Sequence, residues 1–493
     1  MALIDFKVLP GIDKQDTASG AEFRWIDCDN TRFRYGLPEK VGGWSSLVTD
    51  TIVGVARREF AFVDLDGNRY VAIGTDKFLL IYFEGQLYDI TPLKTTLTSA
   101  TLATTNTSAI CSITTGTNHN LSVGDIVLLD TVTLPVGTGY VDADFENKLF
   151  QVTSITSATV FTITQSTAAT ATVGTGGSLS VKPYEQVGPA EQSYGYGWGI
   201  DTWSSGKWGE AASASDVSLE PGLWSLSNFG QVLVATIANG KTFTWNAGDA
   251  ARLTTRASTA TSGFETTNNP TATRITLVSP TTRHLIHLGT ETTIGDPTTQ
   301  DDMFIRFSDQ EDINDYVPTA INSAGSQRLQ DGTRIIGALK AKESILVWTD
   351  NALYTMKFIG APFTFGFEQV GTNCGLIGKN AAIEIDGMAF WMSSNGFFMF
   401  DGTVKSMPCS VEDYVYDQAD TTKGQQIYAG INNLFTEVIW YYPSTNSEYN
   451  DQYVVFNYGE PMKGGTWYIG TEARTSWIDA TVYQKPIATK FDS

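Results

Sequence analysis

A repeated hairpin is the feature of this sequence that most restricts its fold. An apolar strand, a polar turn and an aromatic strand follow one another in four clear copies and two weaker ones. The clear copies occupy residues 70–82, 232–245, 345–356 and 389–400, and the weaker copies begin near His284 and Glu437. In chain order, the copies that begin at residues 389 and 437 start 44 and 48 residues after the copy before them. These distances are close to the ~40–50 residues of a four-stranded propeller blade.

The repeat unit cannot form a stable structure alone. A single hairpin leaves its apolar face exposed, whereas radial packing of such units buries both faces of each sheet and leaves only short edges. Asn, Asp and Gly in the turns suit the positive φ angles of tight hairpins. The sequence therefore predicts an all-β fold, a β-propeller of about six blades. A β-sandwich, or an elongated protein of unrelated hairpins, is the alternative that the pattern leaves open.

One segment, residues 97–181, interrupts the repeat. Between Lys94 and Lys182 the only Lys or Arg is Lys148, and Ser, Thr, Ala and Val dominate. Residues 150–155 and 159–163 alternate apolar and polar side chains, as paired strands do. We predict a small inserted β-barrel or β-sandwich at 97–181. The remaining chain is predicted to form an N-terminal extended arm at 1–30 and a propeller body at 31–96 and 182–493.

Composition and charge exclude several classes of protein. The chain has 42% hydrophobic, 12% aromatic and only 17% charged residues, with a net charge of −21, which excludes a disordered chain and a polycationic nucleic-acid binder. No apolar run reaches the ~20 residues of a membrane span, and the N-terminus does not read as a signal peptide. The four cysteines, at 28, 111, 374 and 409, are too widely spaced for a disulfide framework or a zinc site. They are expected to be mostly buried thiols of a protein assembled in a reducing cytoplasm.

Residues that could carry catalysis are few, and each has a structural explanation. His284 and His287 lie on an apparent strand, where this spacing directs them to opposite faces. Residues 64–68 (DLDGN) begin like a calcium loop, but position 75 is Thr where a Glu is required, so a hairpin turn is preferred. The acidic run at 308–315 could supply paired carboxylates for a glycosidase, although a solvated loop is preferred. We therefore predict no catalytic residues, no metal site and no cofactor, and a protein that is not an enzyme.

A tract of alternating glycine and aromatic residues covers 194–209 (YGYGWGIDTWSSGKWG). Exposed aromatic rings anchor protein interfaces or stack on sugars. Packing or an interface is the preferred interpretation, and sugar binding is the alternative.

The order of several motifs resembles a known family. Residues 29–44 (DNTRFRYGLPEKVGGW) resemble the opening of the tail nozzle, or tail-tube, proteins of short-tailed bacteriophages, and further matches follow in the same order across nearly the whole chain outside 97–181. They are 74–76 (GTD), 88–92 (YDITP), the aromatic tract, 224–230 (WSLSNFG), 306–309 (RFSD), 349–354 (TDNALY), 390–402 (FWMSSNGFFMFDG) and 437–443 (EVIWYYP). The insert separately resembles small β modules of phage tail proteins. This sequence ends at residues 491–493, soon after 477–480 (WIDA), where family members continue, so either this chain is shortened or its last blade closes with an earlier strand.

The resemblance implies a structural virion protein built around a propeller. It implies a homohexameric ring below the portal and the tail adaptor protein, with tail fibres or spikes at its side and the host envelope at its tip. Such a ring in the virion tail, assembled in the host cytoplasm, retains the genomic DNA and conducts it during ejection without sequence-specific binding. No catalytic residue or cofactor comes with the family.

The excess of acidic over basic residues suits a channel for DNA, because carboxylates repel phosphates. We therefore expect acidic side chains to outnumber basic ones on the channel wall. The alternative function is a tail propeller that binds or degrades host-surface glycans, and a third is a cellular scaffold propeller that binds peptides.

Overall fold

The computed structural model describes residues 8–17, 19–192, 220–259, 269–459 and 465–491. These residues fall into two compact units. The smaller unit comprises Ile90–Gln186 with Arg256–Ser258, and the larger unit contains the others.

The larger unit is a six-bladed β-propeller preceded by short N-terminal strands. Strands β1 (Leu9–Ile12) and β2 (Arg24–Trp25) pair in parallel, and β3 (Thr31–Arg34) and β4 (Leu37–Lys40) form a hairpin. Blade 1 is then the antiparallel meander of β5 (Ala56–Val63), β6 (Arg69–Thr75), β7 (Leu79–Phe83) and β8 (Gln86–Asp89).

The smaller unit interrupts the propeller after blade 1 and is a closed six-stranded barrel with the order β10-β13-β12-β11-β14-β9. Its strands are β9 (Leu97–Thr104), β10 (Ile110–Thr114), β11 (Ile126–Thr133), β12 (Lys148–Ser157), β13 (Val160–Thr164) and β14 (Val173–Pro183). The barrel interior is apolar and includes Leu102, Ile113, Val127 and Phe161, all without solvent exposure. Of the two folds predicted for the insert, the barrel is therefore the one that forms.

The next five blades follow along the chain as antiparallel meanders; the described residues give four strands to each of them except blade 2, to which they give three. Blade 2 has β15 (Trp224–Phe229), β16 (Val232–Ile237) and β17 (Thr242–Asn246); blade 3 has β18 (Thr273–Val278), β19 (Leu285–Thr290), β20 (Phe304–Phe307) and β21 (Gly325–Arg328); blade 4 has β22 (Ile335–Lys340), β23 (Ile345–Thr349), β24 (Ala352–Gly360) and β25 (Thr364–Thr372). Blade 5 has β26 (Ala382–Ile385), β27 (Met388–Ser393), β28 (Gly396–Phe400) and β29 (Val404–Met407); blade 6 has β30 (Tyr428–Asn432), β31 (Glu437–Tyr442), β32 (Gln452–Asn457) and β33 (Thr466–Thr471).

Little helix accompanies these sheets in the described residues. The α-helix α1 (Glu412–Gln418) and a 3₁₀ segment (Thr421–Gln426) join blades 5 and 6. Two further 3₁₀ turns are Asp142–Asp144 and Pro297–Thr299. The prediction of an all-β propeller of about six blades with a small inserted β domain is confirmed.

The first strands of the blades surround the propeller axis. Each contacts the first strand of the next blade, from β5 through β15, β18, β22 and β26 to β30. The ring closes through β34 (Ser476–Ile478), which pairs with β35 (Ile487–Thr489) and contacts both β30 and β5. Blade 6 takes all four strands from consecutive segments, so it is not closed by an earlier strand. The N-terminal strand β1 packs instead against β33, where Gly11 approaches the backbone of Trp467.

Buried tryptophans connect successive blades. The indole of Trp224 in blade 2 donates a hydrogen bond of 2.9 Å to the carbonyl of Thr75 in blade 1. Trp391 donates to the carbonyl of Cys374 at 2.8 Å, and Trp440 to that of Ala381 at 3.0 Å. These large side chains fill the spaces between the sheets, and each indole N–H that leaves water gains a carbonyl partner, as burial requires.

One buried acid beside the closing strand predicts how stability depends on pH. Burial raises the pKa of Glu59 on β5 to about 7, and the hydroxyls of Ser476 and Thr489 act against that shift. Because the folded pKa exceeds the unfolded one, the protonated acid contributes stability that is present below pH 4.5 and is lost as the pH rises through about 7. We expect a loss of about 3 kcal/mol across this window.

The variant Glu59→Gln should remove that dependence, because its amide stays neutral. The measurement is the free energy of unfolding by urea at pH 5 and pH 8, followed by tryptophan fluorescence, which reports the propeller since residues 97–181 contain no tryptophan. Equal pH profiles for the wild type and the variant would contradict this assignment.

Candidate functional site

The two histidines singled out in the sequence occupy separate structural positions. His284 Nδ1 lies 2.7 Å from the Thr282 hydroxyl and its Nε2 lies 3.0 Å from that of Ser323. His287 Nε2 lies 3.0 Å from the hydroxyl of buried Tyr316. Burial lowers the pKa of His284 to about 4 and that of His287 to about 3. Both imidazoles are therefore neutral at pH 7 and are held by hydroxyl partners within blade 3.

The segment that resembles the start of a calcium loop is a hairpin turn between β5 and β6, as its sequence predicts. Asp64 accepts hydrogen bonds from the backbone N–H groups of Asp66 and Asn68 at 2.9 and 2.8 Å, and from the Tyr70 hydroxyl at 3.1 Å. Its carboxylate therefore stabilises the turn.

The acidic run at 308–315 is a folded loop after β20. Asp309 accepts from the backbone N–H groups of Ser323 and Gln310, both at 2.8 Å. Burial opposes the shift, but these hydrogen bonds lower the pKa of Asp309. Asp315 accepts from Asn322 at 2.8 Å, and Glu311 pairs with Arg283 at 3.2 Å on the surface. These carboxylates therefore hold the loop through backbone, amide and arginine partners.

A shallow groove on the barrel also carries two acids. It has a volume of about 460 Å³ and is lined by Thr131, Val132, Thr133, Asp142, Ala143 and Glu146. Glu146 accepts from the Val132 N–H at 2.6 Å, and Asp142 from that of Leu134 at 2.8 Å. The two acids are engaged by the backbone of the neighbouring strand.

The cysteines are free thiols, three of them buried and Cys28 half-buried. Burial raises the pKa of Cys28 and of Cys374 to about 11, so these thiols are unreactive at neutral pH. In the described part of the chain, no group of three or more His, Cys, Asp or Glu side chains could hold a metal ion. Over the same residues, we find no helix with the length and apolar character needed to cross a membrane. The aromatic tract at 194–209 lies outside the described residues.

Three cationic side chains meet at the propeller axis, and the sequence reasoning did not identify them. Lys340, at the end of β22 in blade 4, donates to the Ser227 hydroxyl of blade 2 at 2.9 Å. Lys379, just before blade 5, donates to Ser225 of blade 2 at 2.7 Å. Because these blades are not neighbours in the ring, the contacts run across its centre.

Arg58 of blade 1 completes this group, which we call the axial cluster (Arg58, Lys340 and Lys379). Its guanidinium donates to the Asn380 side chain at 3.2 Å and lies 3.5 Å from the Tyr428 hydroxyl of blade 6. The Asn380 amide in turn donates to the Arg57 carbonyl at 3.1 Å. The two lysines of the axial cluster therefore reach across the centre of the propeller and contact a blade that is not their neighbour in the ring.

The three residues of the axial cluster are half-buried. Burial lowers the pKa of Lys340 to about 8, and the charge of Arg58 acts in the same direction. Burial lowers the pKa of Lys379 to about 7, with Arg58 and Arg274 adding to the shift and Glu220 opposing it. The nearby carboxylate of Glu220 is already shared, since it accepts from Arg274 and from Arg334, each at 2.8 Å. The axial cluster thus carries more positive charge than its described neighbours compensate.

Exposed apolar side chains concentrate near the N-terminus. Nine of the 23 exposed large apolar residues in the described chain lie between residues 9 and 53. These nine, which we call the arm surface, are Leu9, Phe23, Trp25, Ile26, Tyr35, Leu37, Trp44, Leu47 and Val53. Tyr35 and Leu37 at the turn between β3 and β4 are 83% and 68% exposed.

A second exposed apolar group lies on blades 3 and 4. This hairpin-tip surface consists of Val317, Ile321, Phe358, Ile359 and Phe363. The Thr364 hydroxyl donates to the Ser323 carbonyl at 2.9 Å and so joins the β24–β25 hairpin to the loop of blade 3. Apolar groups of this kind on a folded protein mark contacts with other molecules.

Comparison with known proteins gives distant structural similarity alone. No protein-family model matches the sequence, and no curated protein does. Among solved structures, an endosialidase of phage phi92 is 10% identical with a TM-score of 0.24, and the match covers 88% of this chain and 59% of that protein. An ancestral GH74 enzyme is 8% identical with a TM-score of 0.30, covering 88% of this chain and 60% of that one. Apo AztD from Citrobacter koseri is 8% identical with a TM-score of 0.25, and the match covers 77% of this chain and 98% of that protein.

The chain thus spans about three fifths of the length of the first two similar structures. Similarity at this level carries no information about the activity of this chain.

Proposed function

We propose that this chain is a structural virion protein that forms the distal tail tube, or nozzle, of a short-tailed phage. In this role, six copies form a ring below the portal and adaptor that retains the packaged DNA and conducts it during ejection. The observation that carries the proposal is the pair of separate apolar surfaces on one subunit. A ring is built from heterologous contacts, in which one patch of each subunit meets a different patch of the next. The arm surface and the hairpin-tip surface supply two such patches.

The propeller axis is not the DNA path in this proposal. Side chains of the axial cluster cross the centre of the propeller, so DNA would pass through the lumen enclosed by the ring of subunits. The order of family motifs along the chain supports the same role. An excess of acidic over basic side chains on that lumen remains our prediction.

The alternative, a tail propeller that degrades or binds host glycans, depends on a different arrangement. A glycosidase requires two carboxylates facing one cleft across about 5–10 Å. The described acids of the 308–315 loop and of the barrel groove are instead held by backbone N–H groups, side-chain amides or arginine. This engagement favours the structural role.

The test of the proposal is assembly on purified portal–adaptor complexes, measured by native mass spectrometry and electron microscopy. We expect the wild type to add six copies in a ring, and the variant Tyr35→Asp/Leu37→Asp to fold but fail to add. Phe363→Asp should fail in the same way, because it removes the other half of the contact. Leu434→Asp is the matched control, since Leu434 is 78% exposed and belongs to neither surface.

Two outcomes would count against the nozzle. One is a wild-type protein that does not add to portal–adaptor complexes. The other is an isolated monomer or trimer that binds or cleaves a capsular polysaccharide, which would favour the glycan-directed alternative.

A further inference from the structure

We infer that the propeller axis is a binding site for a compact tetrahedral oxyanion of the phosphate or sulfate type, held between Arg58, Lys340 and Lys379. Nothing in the proposed tail function requires this site. The inference rests on the placement of the three cationic groups, on the donors they have left, and on the shortage of nearby negative charge.

The two lysines contact the same strand of blade 2. Ser225 and Ser227 are two residues apart on β15, and side chains at this separation share one face of a strand about 6.6 Å apart. Each serine hydroxyl accepts from one ammonium, at 2.7 Å for Lys379 and 2.9 Å for Lys340. Each ammonium is therefore held beside one serine on the same face of β15, and the charge of Arg58 acts on both lysines.

Donors remain available on all three groups. An ammonium carries three N–H donors and a guanidinium five. Lys340 and Lys379 each direct one bond to a serine, and Arg58 uses one nitrogen for Asn380 and Tyr428. A tetrahedral oxyanion has several acceptor oxygens and can take charge-assisted hydrogen bonds from three directions, whereas a planar carboxylate offers acceptors in one plane.

The electrostatic environment favours an added negative charge. The charged and titratable groups near the axial cluster in the described chain include Glu220, Arg274 and Tyr428, and the charge of Glu59 acts on Tyr428 together with that of Arg58. Glu220 is held between Arg274 and Arg334, and Arg274 also pairs with Asp302 at 3.4 Å. Buried like charges without a counter-ion disfavour the charged state. A bound oxyanion would supply that counter-ion, and it would restore the full charge of both lysines.

The site should therefore bind more tightly at lower pH. Desolvation lowers the pKa of Lys340 to about 8 and that of Lys379 to about 7, so both ammonium groups are charged at pH 6 and lose protons as the pH rises through this range. Sulfate is the best probe, because its charge is constant between pH 6 and pH 9 and any pH dependence then comes from the protein.

The experiment is calorimetric titration of the full chain with sodium sulfate at pH 6.0 and pH 8.5, in a chloride buffer of constant ionic strength. We expect saturable one-to-one binding at pH 6.0 that is at least tenfold weaker at pH 8.5. Inorganic phosphate should compete for the same site, and acetate should not. A short phosphodiester oligonucleotide that binds better than sulfate would identify the phosphate groups of a larger molecule as the source of the anion.

Single substitutions locate the site. Lys379→Met and Lys340→Met should each weaken sulfate binding at least tenfold, and the exposed control Lys405→Met should leave it unchanged. Without sulfate, Lys379→Met should have a higher thermal midpoint than the wild type, because it removes a partly desolvated charge. Sulfate should raise the thermal midpoint of the wild type and leave that of Lys379→Met unchanged. If Lys379→Met does not fold, Lys340→Met and Arg58→Gln test the same prediction. Absence of binding to the wild type, or binding that none of these variants weakens, overturns the inference.

Discussion

Arg32→Met should destabilise the propeller by about 3–5 kcal/mol, because it leaves a buried carboxylate without its cation. Arg32 lies on β3, and its guanidinium binds both oxygens of Glu437 on β31, at 2.9 and 3.2 Å. Both residues are almost fully buried, with 8% and 2% of their surfaces exposed. The pair connects the N-terminal hairpin to blade 6.

The other neighbours of Glu437 cannot replace the lost charge. The Tyr468 hydroxyl and the Asn432 amide, the latter at 3.2 Å, donate to the carboxylate, but both are neutral. Burial already raises the pKa of Glu437, with Tyr468 and Arg32 acting against it. Methionine keeps an apolar stem of similar length, but it also removes the guanidinium that lies over the Phe435 ring, with its carbon 3.4 Å from the ring centroid. The expected loss is therefore mainly electrostatic.

The free energy of unfolding by urea at pH 7, followed by tryptophan fluorescence, measures this loss. The double variant Arg32→Met/Glu437→Gln should lose less than Arg32→Met alone, because it removes the orphaned charge. The loss of unfolding free energy in Arg32→Met should also be smaller at pH 5 than at pH 7. Burial raises the pKa of Glu437, so lowering the pH favours its neutral form, which needs no cation. The exposed pair Lys405–Asp401 provides the control, and Lys405→Met should leave the free energy of unfolding nearly unchanged because solvent screens this pair. A similarly small loss for Arg32→Met would show that the pair is solvated.

The repeated hairpins in the sequence correspond to the second and third strands of the blades. The four clear copies are β6–β7, β16–β17, β23–β24 and β27–β28, and the weaker copies begin at β19 and β31. These strands pack between neighbouring sheets and are almost wholly apolar, so their pattern is visible in the sequence. The outer strand β21 is largely exposed and the outer strand β8 is half-buried, and both short strands carry little hydrophobic signal. The number of blades was therefore predictable, whereas the bounds of each blade were not.

The choice between barrel and sandwich for the insert was not predictable in the same way. Closure depends on the pairing of β14 with β9 and of β10 with β13, and such long-range pairings leave no periodic trace in the sequence.

The axial cluster shows a second limit of sequence reasoning. Arg58 lies in blade 1, Lys340 in blade 4 and Lys379 just before blade 5, and they meet because the ring closes. The sequence holds one local signal, which is the placement of charged residues at the ends of otherwise buried strands, as in Lys340 after Ile335–Leu339. That signal marks an unusual environment but does not indicate which residues share it. The histidines and the acidic loop, which resemble catalytic groups in sequence, are explained by hydroxyl and backbone partners that appear once the fold is known.

Gly378→Ala should cost about 3 kcal/mol or more, at or above the upper end of what overpacking usually costs. Gly378 precedes blade 5, and a Cβ atom there would lie 1.9 Å from the carbonyl oxygen of Gly424 and 3.1 Å from the Cα of Gln425. A Cβ on Gly424 would in turn lie 2.6 Å from the carbonyl oxygen of Ile377. The two segments therefore pass each other in backbone contact, and neither has a flexible side-chain end that could move away.

This contact also positions the axial cluster, because the Lys379 backbone N–H donates to the Gln425 side chain at 3.1 Å. Gly378→Ala should therefore weaken sulfate binding at pH 6.0 as well as stability, whereas Lys379→Met should weaken binding without loss of stability. Gly42→Ala is the matched control, since a Cβ there has no atom within 4 Å, and it should change the free energy of unfolding by less than about 0.5 kcal/mol. Urea unfolding followed by tryptophan fluorescence compares the three variants with the wild type. Equal stability of Gly378→Ala and the wild type would mean that the segments before blades 5 and 6 do not touch, and the placement of Lys379 would fail with that contact.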